Sequence, residues 1–307
     1  MKIRIGTRGS ALARVQAADV ARRITAAGHA AEIVIIATLG DRVSDRTFSD
    51  VGAFGIFVRE IEAALLDRAI DVAVHSYKDL PSKGPGELVV AAVPERLDAA
   101  DILLARAVAS TSEGPIPVRY GARVGTSAAR RRALLTAARP DLDVDMLRGN
   151  VPTRVRALID GQFDAIVLAA AGLSRLQRND DPERLVLPSD IICTRLDPTQ
   201  FVPAPAQGAI ALQVRANDEA VREVVAALND PTTERALRAE RTALALADGG
   251  CTLPFGAWCE VQGDGSLILF AALGLDDGTV ARSRSAGDDP LAIAGAAWRE
   301  LTAVASK

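Results

Sequence analysis

The chain has 307 residues, 49% apolar and 24% charged, which is enough for two or three domains with cores of their own. A net charge of -3 argues against bulk attraction to a polyanion, and 4% aromatic residues are too few to stack single-stranded nucleic acid. No run of about 18 apolar residues occurs, so no membrane span is expected.

Met1-Lys2-Ile3-Arg4-Ile5 enters a strand pattern with no apolar signal segment, so the cytoplasm is the expected location. Cys193, Cys251 and Cys259 make no even disulfide framework and no CxxC, and reduced thiols follow. His29 and His75 cannot join them at zinc-ligand spacing, so no metal is expected.

Residues 3–5 predict a strand, Gly6 to Ser10 a turn, and 11–27 a helix capped by Ser10 and stopped by Gly28. Strand, glycine turn and helix start make an anion-binding arrangement, or else an ordinary capped turn with Arg8 in solvent. Glu32 to Thr38 reads as a strand, and 41–55 as a surface loop or a lid. A helix over 57–69 precedes the apolar run Ile70 to Val74. That run passes abruptly into Ser76, Lys78 and Asp79 and stops at Pro81, as a buried strand of a parallel sheet does. In open α/β sheets ligands bind outside the carboxyl ends of such strands, although a solvated strand end gives the same pattern. Lysine is rare here: Lys2, Lys78, Lys83 and Lys307 are the only ones.

Leu88 to Val93 and Ile102 to Ala105 are further strands, with a crossover near 94–98. Arg123 to Ser127 leads into a helix through Ala138. Strands are then expected at 144–147 and 163–169, and helices at 151–160 and 170–177. Asn179 to Pro205 reads as irregular, and Ala209 to Val214 as a strand returning to the first domain. Helices over 219–228 and 231–247, strands near 257–262 and 267–273, and a helix over 290–304 complete the chain. The expected fold is α/β: two doubly wound lobes with a cleft, plus a small α+β C-terminal domain. The boundaries are 1–95 with 201–216, then 96–200, then 217–307.

Nine arginines against three aspartates lie between Arg119 and Arg156, a basic patch that suits an anionic ligand. Thr126, Ser127, Arg130 and Arg131 follow one strand end, and Arg148 and Arg154 follow the next. Hydroxyls, helix N–H groups and guanidinium forks all hold carboxylates or phosphates. Arg132, Arg139 and Arg156 are read as solvated helix-face residues. Gly249-Gly250-Cys251 sets a thiol in a permissive loop, as a nucleophile, a covalent anchor or a small buried residue.

These stretches together resemble the porphobilinogen deaminase (hydroxymethylbilane synthase) family. The matching motifs are Arg4 to Ser10, Val74 to Pro81, Gly125-Thr126-Ser127 with Arg130-Arg131, and Leu147 to Val151 with Thr153-Arg154. Ala171-Gly172-Leu173 with Arg175, Ala206 to Ala209, and Gly249-Gly250-Cys251 complete the set. The resemblance implies two lobes like type II periplasmic binding proteins and a third domain bearing a dipyrromethane, joined by thioether to Cys251. It implies condensation of four porphobilinogens head to tail, with loss of ammonia at each step, then release of the linear tetrapyrrole by water. It implies Asp79 as the catalytic carboxylate. Arg8, Ser10, Lys78, Thr126, Ser127, Arg130, Arg131, Arg148, Arg154, Arg175 and Gln207 are the implied substrate contacts. Lys78, Asp79, Arg130 and Arg131 are the implied cofactor contacts. The implied partners are porphobilinogen and water, with no nucleic acid or membrane, and the protein is expected to be a monomer. Three departures stand out: Phe54 where the family has lysine, Ala128 where serine is frequent, and a longer 176–205 segment.

Two other classes remain to be weighed. A two-lobed organic-anion binding protein would use the same arginines but has no need of Cys251 or a third domain. A cysteine hydrolase would need a histidine near the thiol in sequence, and none is there.

Overall fold

The structure, a computed structural model, describes residues 1–37, 58–178, 184–247 and 253–305. It contains two compact units, 1–97 with 208–235 and 98–207 with 236–307. The expected division ran in three parts. The stretch 217–235 lies in the first unit because Val221, Val225 and Leu228 pack with Leu212 and Val214 in one core. Phe201 and Val202 belong to the second unit, packing with Leu103, Val124 and Val167.

The first unit holds β1 (Lys2–Thr7), α1 (Ala11–Ala26), β2 (Ala30–Ile35), α2 (Arg59–Leu66), β3 (Val72–Ser76) and β4 (Leu88–Ala92). Its sheet runs in the order β2-β1-β3-β10-β4, where β10 is Ile210–Arg215. Strands β1, β2 and β3 are parallel, and β10 is antiparallel to both β3 and β4. Side chains alternate along β3. Val72 and Val74 meet Ala17, Val20 and Ile24 of α1 on one face, and Ala73 meets Ile61 and Leu65 of α2 on the other. Burial on both faces is why β3 reads as a continuous apolar run.

The second unit repeats this plan with β5 (Asp101–Arg106), β6 (Arg123–Gly125), β7 (Asp143–Asp145), β8 (Ala165–Ala169) and β9 (Ile191–Arg195) in the order β7-β6-β8-β5-β9. Here β6 is parallel to β7 and β8, while β5 is antiparallel to β8 and β9. Helix α3 (Ala129–Ala138) covers one face through Leu134 and Leu135. Helices α4 (Val151–Ile159) and α5 (Ala170–Leu176) cover the other through Leu158 and Leu173. In each sheet the antiparallel strand is the one that enters after the chain has crossed from the other unit.

Helices α6 (Glu219–Ala226) and α7 (Pro231–Ala247) lead to the antiparallel sheet β11 (Phe255–Val261), β12 (Leu267–Gly274) and β13 (Val280–Gly287), backed by α8 (Pro290–Ala305). The two-lobed α/β reading with a small C-terminal sheet is borne out. Two strands were missed. β9 lies inside the stretch read as irregular, and its Ile191-Ile192-Cys193-Thr194 run is masked in sequence by Pro188 and Pro198. β13 alternates Ala281, Ser283 and Ser285 inward with Arg282, Arg284 and Ala286 outward, so its buried face carries little hydrophobicity.

Candidate active site

In the first unit, β3 ends in a single 3-10 turn, Tyr77–Asp79. Asp79 is exposed there, Lys78 is half-buried, and Asp79 has no hydrogen-bond partner among the described residues. Asp79, Arg8, Ser10, Gln16, His75 and Ser76 line a hollow of about 90 Å³. Ser10 caps α1 and accepts from the Ala13 N–H at 3.4 Å, as its position at the helix start predicts. The Gln16 amide donates to Ser76 Oγ at 2.9 Å.

His75 lies beneath the hollow, fully buried. Its Nε2 is 3.0 Å from Gln213 Oε1, and the Gln213 amide in turn donates to Glu62 Oε1 at 2.9 Å. The amide oxygen only accepts, so Nε2 carries the proton. Burial pushes the His75 imidazole down to about 4, against the opposing pull of the Gln213 bond. It is therefore neutral near pH 7, holding β3 to β10 and α2.

In the second unit, β6 runs through Gly125 into Thr126, Ser127 and α3. A Cβ on Gly125 would come within 2.8 Å of Leu147 and 2.9 Å of Phe163, so only glycine lets these strand ends close up. Thr126 is buried, Ser127 is exposed, and Thr126 Oγ1 accepts from the Ala128 N–H at 3.3 Å. Ala128 is itself the N-cap and offers no side-chain acceptor, which is the consequence of the departure seen in sequence. At the next strand end Gly149 takes φ +105°, and Asn150 caps α4 by accepting from the Thr153 N–H at 2.9 Å. Arg148 is exposed and has no ion-pair partner among the described residues. Arg154 Nε donates to Gly149 O at 2.8 Å, and Arg175 is buried at the end of α5. Arg132 and Arg156 are exposed, Arg139 is half-buried, and Arg139 bonds Asp141.

Arg130 and Arg131 are placed differently from the other arginines. Both are 5% exposed, and both reach a carboxylate that sequence reasoning passed over, Asp101 at 0%. Arg130 Nη2 donates to Asp101 Oδ2 at 2.8 Å, and its Nη1 donates to Val202 O at 2.7 Å. Arg131 donates to Asp101 Oδ1 from Nη2 at 2.8 Å and Nε at 3.2 Å, and to Val167 O from Nη1 at 2.8 Å. Gln207, wholly buried, adds an amide bond to the same Oδ1 at 2.8 Å. Burial alone would raise the Asp101 pKa. The charges of Arg130 and Arg131, with the bonds from Arg131 and Gln207, outweigh it and hold the group down to about 2. A lone aspartate opening the apolar stretch Ile102 to Ala105 was the available signal. A second buried carboxylate, Glu240 of α7, accepts from the N–H groups of Ala206 at 2.7 Å and Cys259 at 2.8 Å. It pins the residue before Gln207, which stands at φ +61°.

Cys251, Phe54 and the 41–55 loop lie outside the described residues. Cys259 is buried in β11, and Cys193 is exposed on β9. Among the described residues no group of three His, Cys, Asp or Glu is placed to hold a metal ion.

Residues 3–223 match the family model described as porphobilinogen deaminase, dipyromethane cofactor binding domain. The porphobilinogen deaminase of Syntrophobacter fumaroxidans is 42% identical over 278 residues, covering 90% of this chain and 85% of the relative. That of Lachnospira eligens is 40% identical over 306 residues, covering 98% and 99%. Among solved structures, a periplasmic binding protein of Salmonella typhimurium with high arginine specificity aligns with a TM-score of 0.41 at 11% identity, covering 76% of this chain and 93% of that one. The family match over most of the chain, with relatives that align nearly end to end, establishes that the chain belongs to the porphobilinogen deaminase family, the transferases that condense porphobilinogen into hydroxymethylbilane on a dipyrromethane cofactor.

Proposed function

We propose that Asp79 is the catalytic carboxylate of this transferase and that the dipyrromethane is joined through a thioether to Cys251. The observation that carries the first is an exposed carboxylate at the carboxyl end of β3 whose charge is not spent on any described neighbour. Loss of ammonia from porphobilinogen leaves an electron-poor methylene-pyrrole, and a fixed negative charge stabilises the cation as it forms. The arginines and lysines beside it bind carboxylates but cannot do this.

The dipyrromethane supplies, when bound, the nucleophilic pyrrole carbon from which the chain grows. Its acetates and propionates make it a dense anion, and the residues present fit such a group. Arg130 and Arg131 share a single carboxylate, so their buried cluster keeps an excess of one positive charge. Lys78, Asp79, Arg130 and Arg131 hold the cofactor in this reading. Arg8, Ser10, Lys78, Thr126, Ser127, Arg130, Arg131, Arg148, Arg154 and Arg175 receive the carboxylates of substrate and product, while Gln207, wholly buried, acts through its bond to Asp101. Guanidinium forks suit this task because they bind carboxylates with two parallel charge-assisted bonds. Water ends the reaction and frees the tetrapyrrole. The protein acts as a monomer in the cytoplasm. Net charge and the scarcity of aromatic residues support the absence of a nucleic-acid partner. No helix among the described residues is long and apolar enough to cross a membrane.

Asp79→Asn keeps the shape and deletes the charge. It is expected to slow condensation of porphobilinogen about a hundred- to a thousand-fold while the circular dichroism spectrum stays unchanged. Asp79→Glu is expected to keep part of the rate. Near wild-type turnover by Asp79→Asn removes Asp79 from the reaction.

A further inference from the structure

We infer that Asp101 is a positioning residue that holds Arg130 and Arg131 as one preformed receptor for a ligand carboxylate. The inference rests on the proposed function and deepens it. Arg130 and Arg131 are consecutive in α3. Consecutive helical residues point in different directions and do not face each other. Both guanidiniums nevertheless converge on one carboxylate, Arg130 on Oδ2 and Arg131 on Oδ1, each at 2.8 Å. Carbonyl oxygens of Val202 and Val167 fix the far side of each fork. Gln207 holds the carboxylate itself, and its amide also bonds Ala99 O at 2.8 Å.

Asp101 is fully enclosed, so it meets no ligand directly. Stability alone is a weak reason for such a cluster, since buried ion triads are often replaced by apolar residues at no loss. The charge count supplies a reason: two cations and one anion leave a single positive charge, oriented and already desolvated. An arriving carboxylate completes the charge balance against guanidiniums that Asp101 already holds in place.

The test compares three proteins expressed and purified in parallel: wild type, Asp101→Asn, and Leu103→Ala. The last is a cavity variant of the same strand, at a fully buried position outside the cluster. Intact mass gives the fraction of folded protein carrying dipyrromethane, and steady-state kinetics give KM and kcat for porphobilinogen. Asp101→Asn is expected to load at least about tenfold less cofactor, or to raise KM about tenfold in what does load. Leu103→Ala is expected to lower the melting temperature yet load and bind as wild type does. Asp101→Asn that loads fully at unchanged KM overturns the inference, whatever its melting temperature. If Asp101→Asn yields no folded protein, Gln207→Leu takes its place under the same two outcomes. Wild type lacking the adduct contradicts the proposed function instead, and so separates the two failures.

Discussion

Arg148 and Arg156 differ by eight positions and by their use. Arg148 leaves a strand end, unpaired among the described residues, whereas Arg156 stands on the outer face of α4. Removing a cation that meets a buried ligand carboxylate costs about 2–5 kcal/mol of binding. Arg148→Leu is therefore expected to impair cofactor assembly or chain growth clearly more than Arg156→Leu, measured by intact mass and by turnover. Equal effects would return Arg148 to the solvated surface. His75 predicts a pH effect of definite sign. Its folded pKa of about 4 lies below the ordinary 6.5, so between these values the unfolded chain binds more protons. Stability must fall as pH falls from 6.5 towards 4, by up to roughly 3 kcal/mol from this one group. His75→Asn can still donate to Gln213 and does not titrate. Urea denaturation over this pH range should show a flatter slope for the variant, and an unchanged slope would mean that His75 charges freely in the folded protein.

At the level of elements, what the sequence made legible depended on burial. β3, β8 and α1 were placed well because their apolar periods are strong, and Ser10 caps α1 as expected. β13 was illegible because a face built of alanine and serine carries no apolar period, and β9 because its prolines suggested a loop. Lys78, Asp79, Thr126 and Ser127 follow strand ends, as the apolar runs before them predicted. The buried partners Asp101 and Glu240 were not predicted, because they are far in sequence from what they hold. Glu240 illustrates the cost of such a link. It satisfies two buried N–H groups, on the segment before Gln207 and on β11. Glu240→Ala strands both, and an unsatisfied buried donor costs about 1–3 kcal/mol. Urea unfolding is expected to show a loss of about 2–4 kcal/mol for this variant. A loss below about 1 kcal/mol would mean that the two N–H groups find other acceptors.

The whole molecule is an acidic protein with a local excess of arginine between Arg119 and Arg156. That distribution, not the net charge of -3, matches a ligand dense in carboxylates. Each lobe repeats one strand order, and each ends its parallel strands in polar residues: Ser76 to Asp79 in the first unit, Thr126 and Ser127 in the second. In the function proposed above, Asp79 is the reacting carboxylate and Cys251 the covalent anchor. The anchor is tested most directly by the intact mass of the purified protein, followed by peptide mapping. A mass above that of the 32.2 kDa chain by one dipyrromethane, located on Cys251 and absent from folded Cys251→Ser, is the predicted result. An unmodified Cys251 thiol in protein that condenses porphobilinogen would contradict it.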